Sequence, residues 1–214
     1  MAFNIAEVLS QGLINGGARP TLFDVTMILP SSTSAVIDSN GTAANRLRFT
    51  CRAASIPAST LGVVSVPYFG RSAKLAGDRE FGDWSVTIFN DEDYQVRQAI
   101  EAWSNAINTL QGNVRLLPQG DNSNVGYKTN ATIRAYGKAG NPISQYNFVG
   151  IYPTTIDAMD MDWEDTNKIQ TFNVTFAYDY WTPVAVSSGL PNSSSATYPY
   201  NLTSPYGTTG GTVR

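Results

Sequence analysis

AGDREFGDWSVTIFN (Ala76–Asn90) and IQTFNVTFAYDYW (Ile169–Trp181) are built alike: a polar lead, then large apolar side chains at every second position. In the first, Trp84, Val86 and Ile88 fall on one face; in the second, Phe172, Val174, Phe176, Tyr178 and Tyr180 do. A period of two in aromatic and β-branched residues predicts half-buried strands, each laying one face on a core. Neither stretch carries a residue suited to catalysis.

Outward from these, LFDVTMIL (Leu22–Leu29) alternates in the same way, with Phe23, Val25, Met27 and Leu29 on one side and Pro30 ending it. TNATIRAY (Thr129–Tyr136), ISQYNFVGIY (Ile143–Tyr152) and AMDMDWED (Ala158–Asp165) read as further strands. RLRFTCRA (Arg46–Ala53) alternates Arg and Thr with Leu47, Phe49 and Cys51. With the polar connector Ser31–Asn45 and its Asn40-Gly41 turn signal, it predicts a long hairpin. From Ser55 to Phe81 the pattern is cut by Pro57, Gly62, Pro67, Gly70 and Gly77. An excursion of that length, with aromatic and basic residues but little core periodicity, predicts a projecting loop that docks elsewhere.

One helix of core-covering type is expected. Asn90 stands as its N-cap, Asp91, Glu92 and Asp93 complement the helix dipole, and Val96, Ile100, Trp103, Ile107 and Leu110 form one apolar stripe before Gly112. The first residues, with Ile5, Val8, Leu9 and Leu13 ahead of Gly16 and Gly17, predict a short helix or arm. Beyond Thr182 the chain turns to Ser, Thr, Asn, Gly, Pro and Tyr, a composition that cannot build its own core. The expected organisation is a β domain with an N-terminal arm over residues 1–181 and an extension over 182–214, where Tyr198, Tyr200 and Tyr206 would anchor it to a partner.

Composition excludes much chemistry. The 214 residues contain no histidine and one cysteine, Cys51. That removes Ser-His-Asp and Cys-His catalysis, an internal disulfide and any multi-cysteine zinc site. No run approaches the roughly 20 apolar residues that cross a bilayer, and no basic-then-apolar leader opens the chain. Only 14% of residues are charged and the net charge is −3, which is low for a monomer kept soluble by its own surface. Much of that surface is expected to lie under neighbours. The charges also segregate: Arg46, Arg48, Arg52, Arg71, Lys74 and Arg79 crowd one third of the chain, and Asp157, Asp160, Asp162, Glu164, Asp165 and Asp179 another.

The run from Asp160 to Thr171 imitates a calcium loop at its first, third and fifth positions. It fails at the sixth, Asp165 in place of glycine, and at the twelfth, Thr171 in place of glutamate. As a strand it would set Asp160, Asp162 and Glu164 on one face about 6.5 to 7 Å apart, with Met161 and Trp163 on the other. Such a row repels itself unless solvent or cations lie opposite, and pairing across a subunit interface with Arg46, Arg48 and Arg52 would supply them. A slightly acidic chain is the wrong one to grip nucleic acid. A monomeric sugar-binding β-sandwich is the rival from another class, since tyrosine and tryptophan also build sugar platforms.

Ordered blocks extend these readings: ARPTLFDV (Ala18–Val25), FTCRAASIPAS (Phe49–Ser59), VPYFGRSAKLAGDREFGDW (Val66–Trp84), VTIFNDE (Val86–Glu92), YPTTIDAMDMDW (Tyr152–Trp163) and IQTFNVTFAYDYW. In this order the chain resembles the tail-tube proteins of contractile-tailed bacteriophages. The resemblance implies a mainly β (α+β) fold: an antiparallel β-sandwich or barrel with one flanking α-helix, its sheets joining into a continuous barrel in a hexameric ring. It implies a structural, non-enzymatic virion protein without cofactor or metal, assembled in the host bacterial cytoplasm into the tail. Stacked rings would make the inner tube, the conduit for DNA ejection inside a contractile sheath; in such a conduit Asp160, Asp162 and Glu164 are candidates for a lumen wall that gives phosphates no stopping place, the interface pairing with Arg46, Arg48 and Arg52 standing equally open. Implied partners are further copies of the chain, tail sheath protein, baseplate and tail terminator proteins, and viral DNA passing without sequence-specific binding, with no membrane. By the same resemblance the Ser55–Phe81 excursion looks like the loop that reaches the adjacent ring, with Tyr68, Phe69, Arg71, Lys74 and Arg79 as contacts. Tubes of type VI secretion and of phage-like contractile devices share the fold and remain an alternative station.

Overall fold

The computed structural model describes residues 17–30, 42–117 and 126–184. Strand β1 (Phe23–Met27) is followed by helix α1 (Thr42–Thr50), β2 (Cys51–Ala54), β3 (Ser59–Tyr68), β4 (Arg71–Phe81), β5 (Trp84–Phe89) and helix α2 (Gln95–Ile107). Then come β6 (Thr129–Tyr136), β7 (Pro142–Ile156), β8 (Thr171–Ala177) and β9 (Tyr180–Val184). Seven strands join in the order β1-β6-β7-β8-β5-β2, with β9 also on β7, while β3 and β4 form a separate hairpin. Every pairing is antiparallel. The expected class, mainly antiparallel β with few helices, is the class observed.

The long strand β7 belongs to two layers at once. Its first part pairs with β6 and β9, and beyond Gly150 the residues Tyr152–Ile156 pair with β8. The chain opposite bends at the same level, so TFNVTFAYDYW is two strands rather than one, parted at Tyr178 and Asp179. Gly150 has φ +71, a left-handed backbone that a side chain resists. A Cβ there would land on the Asp179 carboxylate, which Lys128 Nζ holds at 2.6 and 2.8 Å, while Asp179 N donates to Val149 O at 3.0 Å. Glycine at 150 lets both strands turn together.

Inside the bend lies the core. Trp84, Val86 and Ile88 of β5 and Phe172, Val174 and Phe176 of β8 are all buried, as their alternation requires. Trp84 stacks at 4.4 Å on Phe148, and α2 closes the open side with Val96, Ala99, Ile100 and Trp103. Trp103 Nε1 donates to Tyr127 O at 2.8 Å, so its one polar atom is satisfied where no water reaches. Truncating such a ring to alanine costs about 3–5 kcal/mol.

Three further expectations are corrected. Residues Arg46–Thr50 are helical rather than the start of a strand, so no hairpin forms there. Four alternating residues fit either period, and here Ala43 and Leu47, four apart, are the buried pair, while Phe49 is exposed and only Cys51–Ala54 joins the sheet. Helix α2 starts four residues late. Asn90 does not cap it: its backbone N–H donates to Gln170 O at 2.9 Å and its Nδ2 to Gln170 Oε1 at 3.2 Å, which ties Asn90 to the β8 side, and Tyr94, at φ 53, stands at the N-cap instead. The segment Ala158–Asp165 is a loop, and no strand aligns its carboxylates. Glu164 N donates to Asp162 Oδ1 at 2.9 Å, a local turn in which aspartate competes with the ladder. The N-terminal arm, residues 31–41 of the connector and the tail from 185 lie outside the described residues, and β9 carries the sheet through Val184.

Candidate assembly interface

The excursion predicted between Ser55 and Phe81 is a long hairpin whose register shifts once, between Leu61 and Val63. Its strands pair from Ser59 with Phe81 to Tyr68 with Arg71, leaving Phe69-Gly70 as a two-residue turn. Both turn residues have positive φ, +42 and +78, the requirement of the tight turns that match strand twist. Glycine takes that conformation freely, whereas a phenylalanine in the left-handed region is held at a cost of about 1–2 kcal/mol. Phe69 is nevertheless set at the tip, 89% exposed, edge-on to the Tyr68 ring at 4.6 Å.

The base of the hairpin is fixed to the domain. Phe81 packs against Tyr178 and Trp181, Trp181 Nε1 donates to Ala58 O at 3.3 Å, and Trp84 Nε1 donates to Ser55 O at 2.8 Å. Beyond it, among the described residues, nothing covers either face: Leu61, Val63, Val64, Val66 and Leu75 are all exposed. Arg71 and Lys74 lie on the distal half, and Arg79 near the base, where its Nη1 reaches Ser59 Oγ at 3.5 Å. The five residues named from sequence for this contact therefore share one exposed element.

The other two named groups lie elsewhere. Asp160, Asp162 and Glu164 are exposed on the loop that joins β7 to β8. The arginines are engaged within the chain: Arg46 Nη1 reaches Asp91 at 2.6 Å and Asp93 at 3.0 Å, and Arg48 Nη2 reaches Asp24 at 2.8 Å. Hydrogen bonding by Asp91, then by Asp93, raises the Arg46 pKa still further. Arg52 lies over the Phe89 ring at 5.8 Å from its centre. Cys51 is half-buried, and that burial pushes its thiol up to about 12, which leaves it a poor nucleophile.

Sequence reasoning missed the exposure of Met161, Trp163 and Ile169. All three stand out from the acidic loop, Trp163 with its whole side chain in solvent. A tryptophan and a methionine embedded among four carboxylates were the available signal, hidden by the strand period laid over them.

A family model described as phage tail tube protein matches residues 18–183. The chain belongs to that family. It is 34% identical over 165 residues to tail tube protein gp19 of Enterobacteria phage T4, covering 77% of this chain and 90% of that protein. The same identity and coverage hold for gp19 of Enterobacteria phage T6. The fold is shared with a chain of the PVC sheath–tube complex of an extracellular contractile injection system in its extended state, at a TM-score of 0.53 and 15% identity, covering 86% of this chain and 100% of that one. A chain of the anti-feeding prophage cap gives 0.55 and 17%, covering 78% and 91%. The family match ends inside β9, so the tail beyond it lies outside what the family describes. Family membership gives this chain a tail tube role.

Proposed function

We propose that this protein is a structural, non-enzymatic tube subunit that assembles as homohexameric rings, which stack into the inner tail tube of a contractile-tailed virion. One observation carries the reading: a hairpin some 10 residues long on its first strand, rigidly rooted, with apolar side chains bare on both faces and a strained aromatic tip. A lone two-stranded hairpin is marginal in water, and exposing aliphatic residues on both sides invites aggregation. Both difficulties vanish when neighbouring subunits cover it. Low surface charge points the same way, because an assembled subunit needs fewer charges to stay dispersed.

In this reading the rings assemble in the host bacterial cytoplasm, contact sheath, baseplate and terminator proteins, and let DNA pass without gripping it. A net charge of −3 offers phosphates little to bind. The hairpin residues Tyr68, Phe69, Arg71, Lys74 and Arg79 make the contact between rings.

The test is sedimentation of the purified full chain beside a Tyr68→Ser/Phe69→Ser variant. The native chain sediments as rings or longer assemblies; the variant melts at the same temperature but loses long assemblies. A native chain that stays monomeric at high concentration contradicts the reading and favours the sugar-binding module.

A further inference from the structure

The acidic loop and the hairpin stand at opposite ends of one strand pair. Strands β5 and β8 run antiparallel with Trp84 opposite Phe176 and Phe89 opposite Thr171. The hairpin is rooted at the Trp84 end, where Phe81 meets Tyr178 and Trp181. The loop enters at the other end, tied by Asn90 N to Gln170 O at 2.9 Å. The two ends are about 17 Å apart along the strands.

They are also complementary. The stretch Ser59–Gly77 carries Arg71 and Lys74 and no acid, a net +2 beside Tyr68 and Phe69. The loop Asp157–Gln170 carries five carboxylates against Lys168, a net −4. It encloses a groove of about 530 Å³, with Met161, Trp163 and Ile169 on its walls beside Asp160 and Asp162. Lys168 also lines the groove but is paired with Asp165, so exposed tryptophan and methionine set among carboxylates in excess make a docking surface for an aromatic, cationic element.

We propose that this groove receives the Tyr68–Arg71 hairpin tip of a second copy of the chain. Phe69 and Tyr68 pack on Trp163 and Met161, and Arg71 and Lys74 face Asp160 and Asp162. Because donor and receptor lie at opposite ends of the same subunit, the contact is heterologous and repeats head to tail instead of closing a pair. It rests on the self-assembly reading above and adds the receiving surface to it.

The test uses three full-chain variants, each checked for native melting. Trp163→Ser lowers the amount of long assembly at least about tenfold, the scale of losing a buried aromatic anchor. Asp160→Lys/Asp162→Lys does the same. Adding Arg71→Glu/Lys74→Glu to that second variant restores assembly, which a merely structural role for the loop would not do. If the native chain assembles and all three variants assemble equally well, the receiving groove is wrong while the tube reading stands. If the native chain itself never assembles, both fall.

Discussion

Asp24 Oδ2 collects Arg48 Nε at 2.9 Å, Arg48 Nη2 at 2.8 Å and the Tyr136 hydroxyl at 3.0 Å, joining α1, β1 and the end of β6 at one nearly buried carboxylate. The sequence placed Asp24 on the polar side of its strand; that side is covered because α1, read as a strand, packs over it. Cys51 lies just beyond that helix, and its titration is measurable. Burial lifts the thiol from its ordinary 9.0 to about 12 in the folded chain. Between those values the unfolded chain has released the proton and the folded chain has not, so stability falls as pH rises from about 9 towards 12. Thermal melts at pH 8 and pH 10.5 check this: the native chain loses more than Cys51→Ala across the interval. Parallel losses contradict it.

At the scale of elements, periodicity succeeded wherever an element's own burial set its pattern. The stripe was readable over Val96, Ile100 and Trp103, as were the faces of β5 and β8, because these meet the core; its expected end was not, for Ile107 is only partly buried and Leu110 lies beyond the helix and is exposed. It failed where a side chain bonded locally, as in the Asp162 turn, or where distant chain took a group first, as Gln170 takes Asn90. The bend of β7 was invisible for another reason: Gly150 declares its role only once Asp179 is seen opposite. Gly150→Ala forces a left-handed backbone and displaces a carboxylate held by Lys128, and the expected cost is about 1–3 kcal/mol. Chemical denaturation checks it, and Gly150→Ala at native stability contradicts the account of the bend.

Over the whole molecule, the projecting hairpin was legible as an irregular excursion but not as a hairpin, since its glycines and prolines masked a register running from Ser59 to Arg71. Its purpose follows from what it leaves uncovered. In the proposed reading, a subunit with apolar strands bare at one end and an aromatic, acidic groove at the other is completed by copies of itself. Negative-stain electron microscopy of the purified full chain is the most direct measurement. The account predicts hollow rings or tubes with six-fold symmetry in end view. Isolated particles of monomer size, at concentrations where light scattering also finds only monomer, would contradict it.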